Sequence, residues 1–381
     1  MLTYTFSSRR TKTYFSTTFL GLLFVFACMS AATTTAQAQT RAYVASTCTQ
    51  SVFVVDTSTN TIVANIAVGI APIIPAVSPD GTRVYVSNSG SSNVSVIDTT
   101  TNTVIRTIAV GVGPFGLAVT PDGARVYVVN RISSTISVID TTTNRVVATI
   151  PDSLGPVQVG ITPDGTRAYV TNGNFIFDSF GTTVSVIDTA TNTVTDVIPL
   201  GLVPTAIAFT PDGSRAYVAN RNGGPVWAID TATNTVIATI PDVSASSGIA
   251  ITSTGTKAYV SSQIDITVSV IDTATNTAIA TIPLAPTRNP AFLALTPDDT
   301  RLYVSNGSNP ITIGTLDVID TSTNTVIDTI PTGDFCPNGI AIAPLIPRSK
   351  DDCKKDGYQR FRSLGFRNQG QCIKFVNEHA H

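Results

Sequence analysis

Charge is scarce in this 381-residue chain: 13% of the residues are Asp, Glu, Lys or Arg, about half the share of an ordinary soluble domain. Glutamate is nearly missing. Of the 25 acidic residues only Glu378 is not an aspartate, and the two histidines, His379 and His381, stand at the extreme C-terminus. The shortage of Glu, Lys and Arg removes the residues that favour helices. A formal net charge of −2 supplies no global positive field to draw a polyanion, so no nucleic-acid partner is expected. A hydrophobic share of 43% excludes a disordered chain. Long apolar runs are also lacking. The longest, Phe19 to Met29, is shorter than the roughly 20 residues a membrane-spanning helix needs. What is abundant is Thr, Val and Ile, the residues of strands. These observations predict an all-β protein that does not span a membrane.

The N-terminus reads as a signal peptide over residues 1–38. Arg9, Arg10 and Lys12 precede the apolar run, and Ala36-Gln37-Ala38 has the small-residue pattern of a cleavage site. Cleavage after Ala38 leaves a mature chain starting at Gln39. The alternative is a lipoprotein, with Cys28 acylated after cleavage at Ala27-Cys28, although Phe26 is bulky for such a site. Either route places the protein outside the cytoplasm: secreted, at the cell surface, or periplasmic in a Gram-negative source. Of the five cysteines, Cys28 leaves with the signal, and Cys48, Cys336, Cys353 and Cys372 remain. An even number in an oxidising compartment suits two disulfides, and four cysteines allow three pairings.

The rest of the chain repeats. The unit P-D-G-x-R-x-Y-V-x-N, a short gap, then V-S-V-I-D-T-x-T-N-T-V-I-x-T-I, recurs with its aspartate at Asp56, Asp98, Asp140, Asp188, Asp230, Asp272 and Asp320, at spacings of 42 or 48. In the third copy the unit parses into strand A (Gly116 to Thr120), a Pro-Asp-Gly turn, strand B (Arg125 to Asn130), strand C (Ile136 to Asp140), a Thr-rich turn, and strand D (Arg145 to Ile150). Short β-branched runs bounded by turn chemistry are hairpin strands. Four of them per 42 residues make one propeller blade. The chain enters at a strand B, Arg41 to Val44, and ends its repeats on a lone strand A, Gly339 to Ala343. The last strand A therefore completes the first blade and removes open sheet edges. The expected fold is a seven-bladed β-propeller over residues 39–347, with four-stranded antiparallel blades and one blade shared by both termini. In that topology Cys48, in the B-to-C loop, and Cys336, just before strand A, share one face of one blade. A disulfide between them would lock the ring and stabilise it by about 4 kcal/mol in the chain-entropy picture.

Blade four carries Tyr169-Val170-Thr171-Asn172, and others read YVSN, YVVN and YVAN. This pattern resembles the bacterial and archaeal YVTN family of propeller repeat proteins. The resemblance spans residue 41 to about 344 and implies the propeller fold. It also implies a secreted or surface-layer setting, without an activity, since fold does not carry function. Residues 348–381 differ. They hold eight Lys and Arg against four acids, while residues 41–347 hold 12 against 21. Their CKKDGYQRF…GFRNQGQC pattern is similar to a two-cysteine C-terminal segment of secreted bacterial proteins, with Tyr358 where Trp is usual. The resemblance implies a Cys353–Cys372 pair and a small attachment module for an acidic envelope. The plainer reading is a stapled, solvated tail.

Chemistry is sparse. Lactonases, streptogramin-type lyases and haem d1 nitrite reductases share the propeller architecture, and they place His, Glu or metal clusters near the central channel. Residues 41–347 contain no His and no Glu, so an acid or base there would have to be Asp, Tyr or Lys257. No catalytic residue, metal or cofactor is assigned. The strand-ending aspartates repeat in every blade and read as turn caps. The strand-B asparagines read as structural, but they end on the loop face and could reach a ligand. Departures from the repeat are more telling. Strand C starts six residues after the strand-B Asn in ordinary blades, 12 after Asn172 in blade four and ten after Asn306 in blade seven. The first insertion carries Asn174, Phe175, Phe177, Asp178 and Phe180, and the second carries Asn309. The blade-seven D-to-A connection is also long and holds Arg288 and Asn289. Aromatic rings beside Asn and Asp suit sugar or peptide contact; the alternative is loops packed on themselves. Trp227 is expected between blades. Asp178, Asp265 and Asp298-Asp299 offer oxygen ligands for Ca²⁺, without EF-hand spacing. The expected function is a non-catalytic binding scaffold, acting as a monomer on a cell-envelope component, a glycan or an extracellular protein. The rival readings are a lactonase- or lyase-like enzyme with an Asp- or metal-based channel site, and a structural surface-layer component.

Overall fold

The structure is a computed structural model describing residues 40–152, 154–173, 181–221, 224–241, 243, 246–307, 314–333, 336–344, 346, 350–351, 353–354 and 368–379. Within these residues, seven four-stranded antiparallel sheets stand in a ring. The strands of each blade run A, B, C, D, and strands A of adjacent blades touch one another around the centre. The closing blade pairs Pro337–Pro344, from the C-terminal side, with Thr40–Ser46, and then adds Ser51–Asp56 and Thr61–Ala67. The two ends of the ring are thus joined inside one sheet, as the phase of the repeat implied.

Seven apolar clusters hold the ring, each shared by two neighbouring blades. The cluster of Ala42, Val44, Phe53 and Val55 with Tyr303, Leu316 and Val318 joins the first blade to the seventh. Trp227 packs with Tyr169, Val184 and Val186 between blades four and five. Strands B and C are buried along nearly their whole length, whereas strand D alternates and faces solvent. Each residue of the repeat has a local physical cause. The asparagine of every Thr-rich turn takes the left-handed conformation, with φ of 53 to 55°, which Asn tolerates better than most residues. The preceding aspartate caps that turn: Asp188 Oδ1 accepts from the Thr191 amide at 2.8 Å and its hydroxyl at 2.9 Å. The strand-B tyrosine donates to the turn asparagine of the next blade, as in Tyr127 to Asn192 (2.7 Å) and Tyr303 to Asn60 (2.7 Å). The strand-B arginine donates to a carbonyl of the same turn, as Arg125 does to Thr189 (2.9 Å).

Strand A differs from its expected bounds. In blade three it spans Pro114–Val119, starting two residues before Gly116. Pro114 pairs with Asn130, and regular pairing resumes only at Leu117 with Val128, so Phe115 and Gly116 lie in a register shift. Proline is accepted at the first position of a strand because it owes no amide there, and the bulge hides the strand's start from an alternating pattern. Similar shifts occur in all seven A–B pairs. Where strand B offers a hydroxyl, it fastens the bulge. Ser261 Oγ accepts from the Gly248 amide (3.0 Å) and donates to the Ala291 carbonyl of the next blade (2.7 Å).

Both expected disulfides form, Cys48–Cys336 across 288 residues and Cys353–Cys372 across 19. The second joins the tail to a helix, Gln369–His379, an element not read from the sequence. Asn368 caps it by accepting from the Gln371 amide at 3.0 Å. Among the described residues no helix is long and apolar enough to cross a membrane.

Candidate functional site

The bulges place the first residues of the strands A around one end of the central channel, together with residues that follow strands B. Here lies a cavity of about 160 Å³. Six blades supply strand-A residues to it, among them Phe115, Gln158 and Phe292. The residues that follow strand B add Arg131, Arg221 and Gln263. No aspartate lines the cavity among the described residues. The Arg131 guanidinium lies over the Phe115 ring, 5.3 Å from its centre. Burial, and then the charge of Arg221, hold Arg131 below its ordinary pKa. The Gln158 side chain rests against Gly116 of the preceding blade, where a Cβ would fall 1.9 Å from Oε1, and that oxygen is buried without a protein partner. Glycine at 116 is what makes room for Gln158.

Larger grooves occur on the opposite face, of about 510, 350 and 320 Å³. They repeat from blade to blade between a Pro-Asp-Gly turn and the next Thr-rich turn. Their aspartates already accept bonds within the turn, as Asp122 does from Thr120 (2.6 Å) and the Ala124 amide (2.9 Å). These bonds hold Asp122, Asp164 and Asp212 below the usual carboxylate range. Such grooves belong to the scaffold.

The residues expected to bind a ligand divide into three groups. Asn172 and Asn306 are buried, at 0% and 2% exposure, and turn inward: Asn172 donates to Thr183 (3.0 Å) and Ser185 (2.9 Å), and Asn306 to Asp317 (2.9 Å). Arg288 faces the buried carboxylate of Asp317 at 3.4 Å, and the neighbouring Asn289 accepts from the Gly307 amide (3.0 Å). None of these four lines the channel cavity. Asn174, Phe175, Phe177, Asp178, Phe180 and Asn309 lie outside the described residues. Of the other candidate Ca²⁺ ligands, Asp298 caps its own turn, Asp299 accepts from Ser253 of the neighbouring blade, and Asp265 lies beside Ser262. Among the described residues no three His, Cys, Asp or Glu side chains converge as metal ligands. The residues that do line the mouth were legible as departures from the repeat: Arg in place of a small residue just after the strand-B Asn in two blades, and Gln158 in a strand-A position held elsewhere by Gly, Ala, Ile or Phe.

A sequence model of the YNCE-like beta-propeller family matches residues 61–176. No curated protein matches the chain. Solved structures do. Hydrazine synthase of Kuenenia stuttgartiensis is similar at 26% identity and a TM-score of 0.63, over 72% of this chain and 90% of that one. A functionally unknown protein from Desulfotomaculum acetoxidans DSM 771 is similar at 21% identity and 0.68, over 80% and 99%. Dihydro-heme d1 dehydrogenase NirN in complex with DHE is similar at 16% identity and 0.58, over 79% and 74%. Seven closed four-stranded blades, the family match and these neighbours together identify the chain as a β-propeller repeat protein.

Proposed function

We propose that the protein is a binding scaffold working outside the cytoplasm, which engages a cell-envelope component, a glycan or an extracellular protein through the face at the channel mouth. One observation carries this reading. Ile70, Val112, Ile132, Leu154, Leu202 and Ile264 are 40 to 63% exposed, and all six belong to loops of that face. Other exposed apolar side chains, such as Val147 and Ile279, lie along the outer strands D, but those in loops fall on this one face, and such side chains mark an interaction surface. The opposite face presents capped polar turns. The signal-like N-terminus and two disulfides fit an oxidising compartment. Phe175, Phe177 and Phe180 would extend the same surface by their place in the sequence.

The enzyme reading draws on neighbours named for enzymes. It is the weaker one because residues 41–347 offer no His or Glu as acid or base. The test is retention of the mature protein on the envelope of its source organism. Replacing Ile70, Ile132, Leu202 and Ile264 together by Ser should reduce retention at least tenfold with the fold intact. Unchanged retention removes this face from the function.

A further inference from the structure

Taking the mouth face as the interaction surface, as above, we propose that its envelope partner is a lipid bilayer. The aliphatic side chains that precede strands A of blades two to five insert into the boundary between headgroups and acyl chains.

The repeat sets the level of these side chains. Ile70, Val112, Leu154 and Leu202 each stand two residues before the proline that opens a strand A, at Pro72, Pro114, Pro156 and Pro204. They are 40 to 52% exposed. Equivalent positions in a closed ring of like blades lie in one plane normal to its axis, so the four tips form a flat arc over adjacent blades. The hairpin loops of those blades pack into the arc. Ile70 lies against Gly90, Ile132 against Gly113 beside Val112, and Leu202 against Gly224, where a Cβ on each glycine would fall 2.7 to 2.9 Å from the aliphatic chain. The same position holds Ser244 before strand A of blade six and Arg288 before that of blade seven, so the arc covers one side of the ring. Phe335 takes it in the closing blade and lies outside the described residues.

Charge is distributed to match. The seven aspartates that end strands C and the six of the A-to-B turns all lie on the opposite face. Among the described residues of the arc's own loops the one carboxylate is Asp152, which is 4% exposed and accepts from the Leu154 amide at 3.1 Å. Asp265 is exposed in the blade-six hairpin, beyond the arc. Asp178, Asp242 and Asp334 lie outside the described residues. Arg131 and Arg221 are engaged within the protein, so insertion is carried by the aliphatic tips and not by charge. A protein partner is gripped by anchors that fill pockets, and a sugar by aromatic rings with polar groups beside them. Separate aliphatic tips held at one level fit a surface that is flat and apolar just beneath its headgroups.

Co-sedimentation of the mature chain with vesicles tests the proposal, using phosphatidylcholine alone and phosphatidylcholine with phosphatidylserine. The parent should bind both, and high salt, which screens exposed charges, should not release it. Replacing Ile70, Val112, Leu154 and Leu202 together by Ser should weaken binding at least tenfold at the parent's melting temperature, whereas Val147→Ser, on an outer strand D, should change nothing. Val112→Trp gives a second reading. Trp227, the chain's own single tryptophan, is 5% exposed, so a blue shift in the variant's emission on adding vesicles reports insertion of this tip. No binding by the parent, equal binding by the Ser variant, or an unshifted Val112→Trp spectrum would overturn the proposal. Binding confined to phosphatidylserine vesicles and lost in salt would overturn it in favour of charge attraction. If vesicles are not bound while replacing Ile70, Ile132, Leu202 and Ile264 by Ser still lowers envelope retention, the face stands and its partner is a protein or a glycan; if retention is also unchanged, both readings fall. A parent that sediments as a dimer without lipid, and as a monomer once the four tips are Ser, would make the occupant a second copy and overturn the lipid.

Discussion

On the turn face, most blades repeat one set of bonds: an aspartate caps a Thr-rich turn, a left-handed asparagine receives the tyrosine of the preceding blade, and an arginine reaches a turn carbonyl. On the mouth face the same seven repeats diverge. Loop lengths change, Asp317 replaces a strand-C serine, a disulfide replaces one loop contact, and two arginines replace small residues. The contrast separates what closes a propeller from what one particular propeller does. Bonds made many times over are individually small and mutually redundant. Single departures carry either a large structural cost or a site.

The largest effect expected on the mouth face is loss of the ring lock. Cys48→Ser with Cys336→Ser should lower stability by about 4 kcal/mol, read as a fall in melting temperature under non-reducing conditions. Reductant should lower the parent to a similar point. If the double variant melts with the parent, sheet closure through Pro337–Pro344 suffices and the disulfide is dispensable. Next is the Arg288–Asp317 pair. Asp317 is 2% exposed and also accepts from Asn306 (2.9 Å) and Thr329 (2.7 Å). Arg288→Ala should cost about 3 kcal/mol by leaving a buried charge uncompensated. Adding Asp317→Ser, the residue of other blades, should restore most of it. No recovery in the double variant would mean that Arg288 acts through its loop and not through the carboxylate.

The turn face was almost wholly legible in the sequence, because a pattern written seven times averages out local ambiguity. The strand-ending aspartates, the Asn of the turn and ring closure could all be placed from spacing alone. The mouth was legible only in part. A bulge at the start of strand A interrupts the alternation that marks a strand, so Phe115 and its counterparts fell outside the expected element. The long insertions drew attention by length. Yet the residues that meet at the channel are single substitutions within loops and strands of ordinary length. Asn172 and Asn306 sit at the correct end of strand B for a ligand, but their donors are satisfied inside the blade. Only a side chain's direction decides that, and direction is not written in the repeat.

Smaller effects test the redundancy. Tyr127→Phe, Tyr217→Phe and Tyr303→Phe should each cost about 1 kcal/mol, the net worth of one hydrogen bond, and the three values should agree closely in denaturant titrations. Unequal costs would show that the blades are not equivalent. The same tyrosines set the alkaline limit. Burial raises six strand-B tyrosines, these three and Tyr85, Tyr169 and Tyr259, above their ordinary pKa, and Tyr303 is pushed up to about 12. A raised folded-state value contributes stability that is complete below the unfolded value, about 10, and lost as pH rises through the folded one. Stability should therefore fall between about pH 10 and 12.

The acid side asks the same question of the carboxylates, where each residue's share is smallest. On the turn face Asp140, Asp188, Asp230 and Asp272 are held below the usual range chiefly by the amide, and then the hydroxyl, of the threonine three residues on. They are exposed, so solvent screens each contribution. A lowered folded-state value gives stability that is present above the unfolded value, about 3.9, and lost as pH falls through the folded one. On the mouth face Asp152, 4% exposed, behaves oppositely. Burial raises it, and bonds from the Leu154 amide and Ser185 pull it only part of the way back. It binds its proton more readily in the folded state, so its own contribution to stability grows as pH falls through the folded value. The parent's acid decline is then the turn-face loss partly offset by one mouth-face residue. Asp152→Asn removes the offset. Its stability should decline more steeply than the parent's as pH falls through the carboxylate range and be equal or higher at pH 7, in denaturant titrations across that range. Superimposable curves would mean that Asp152 titrates as an exposed carboxylate does, and that the two faces do not differ in how they hold their charge.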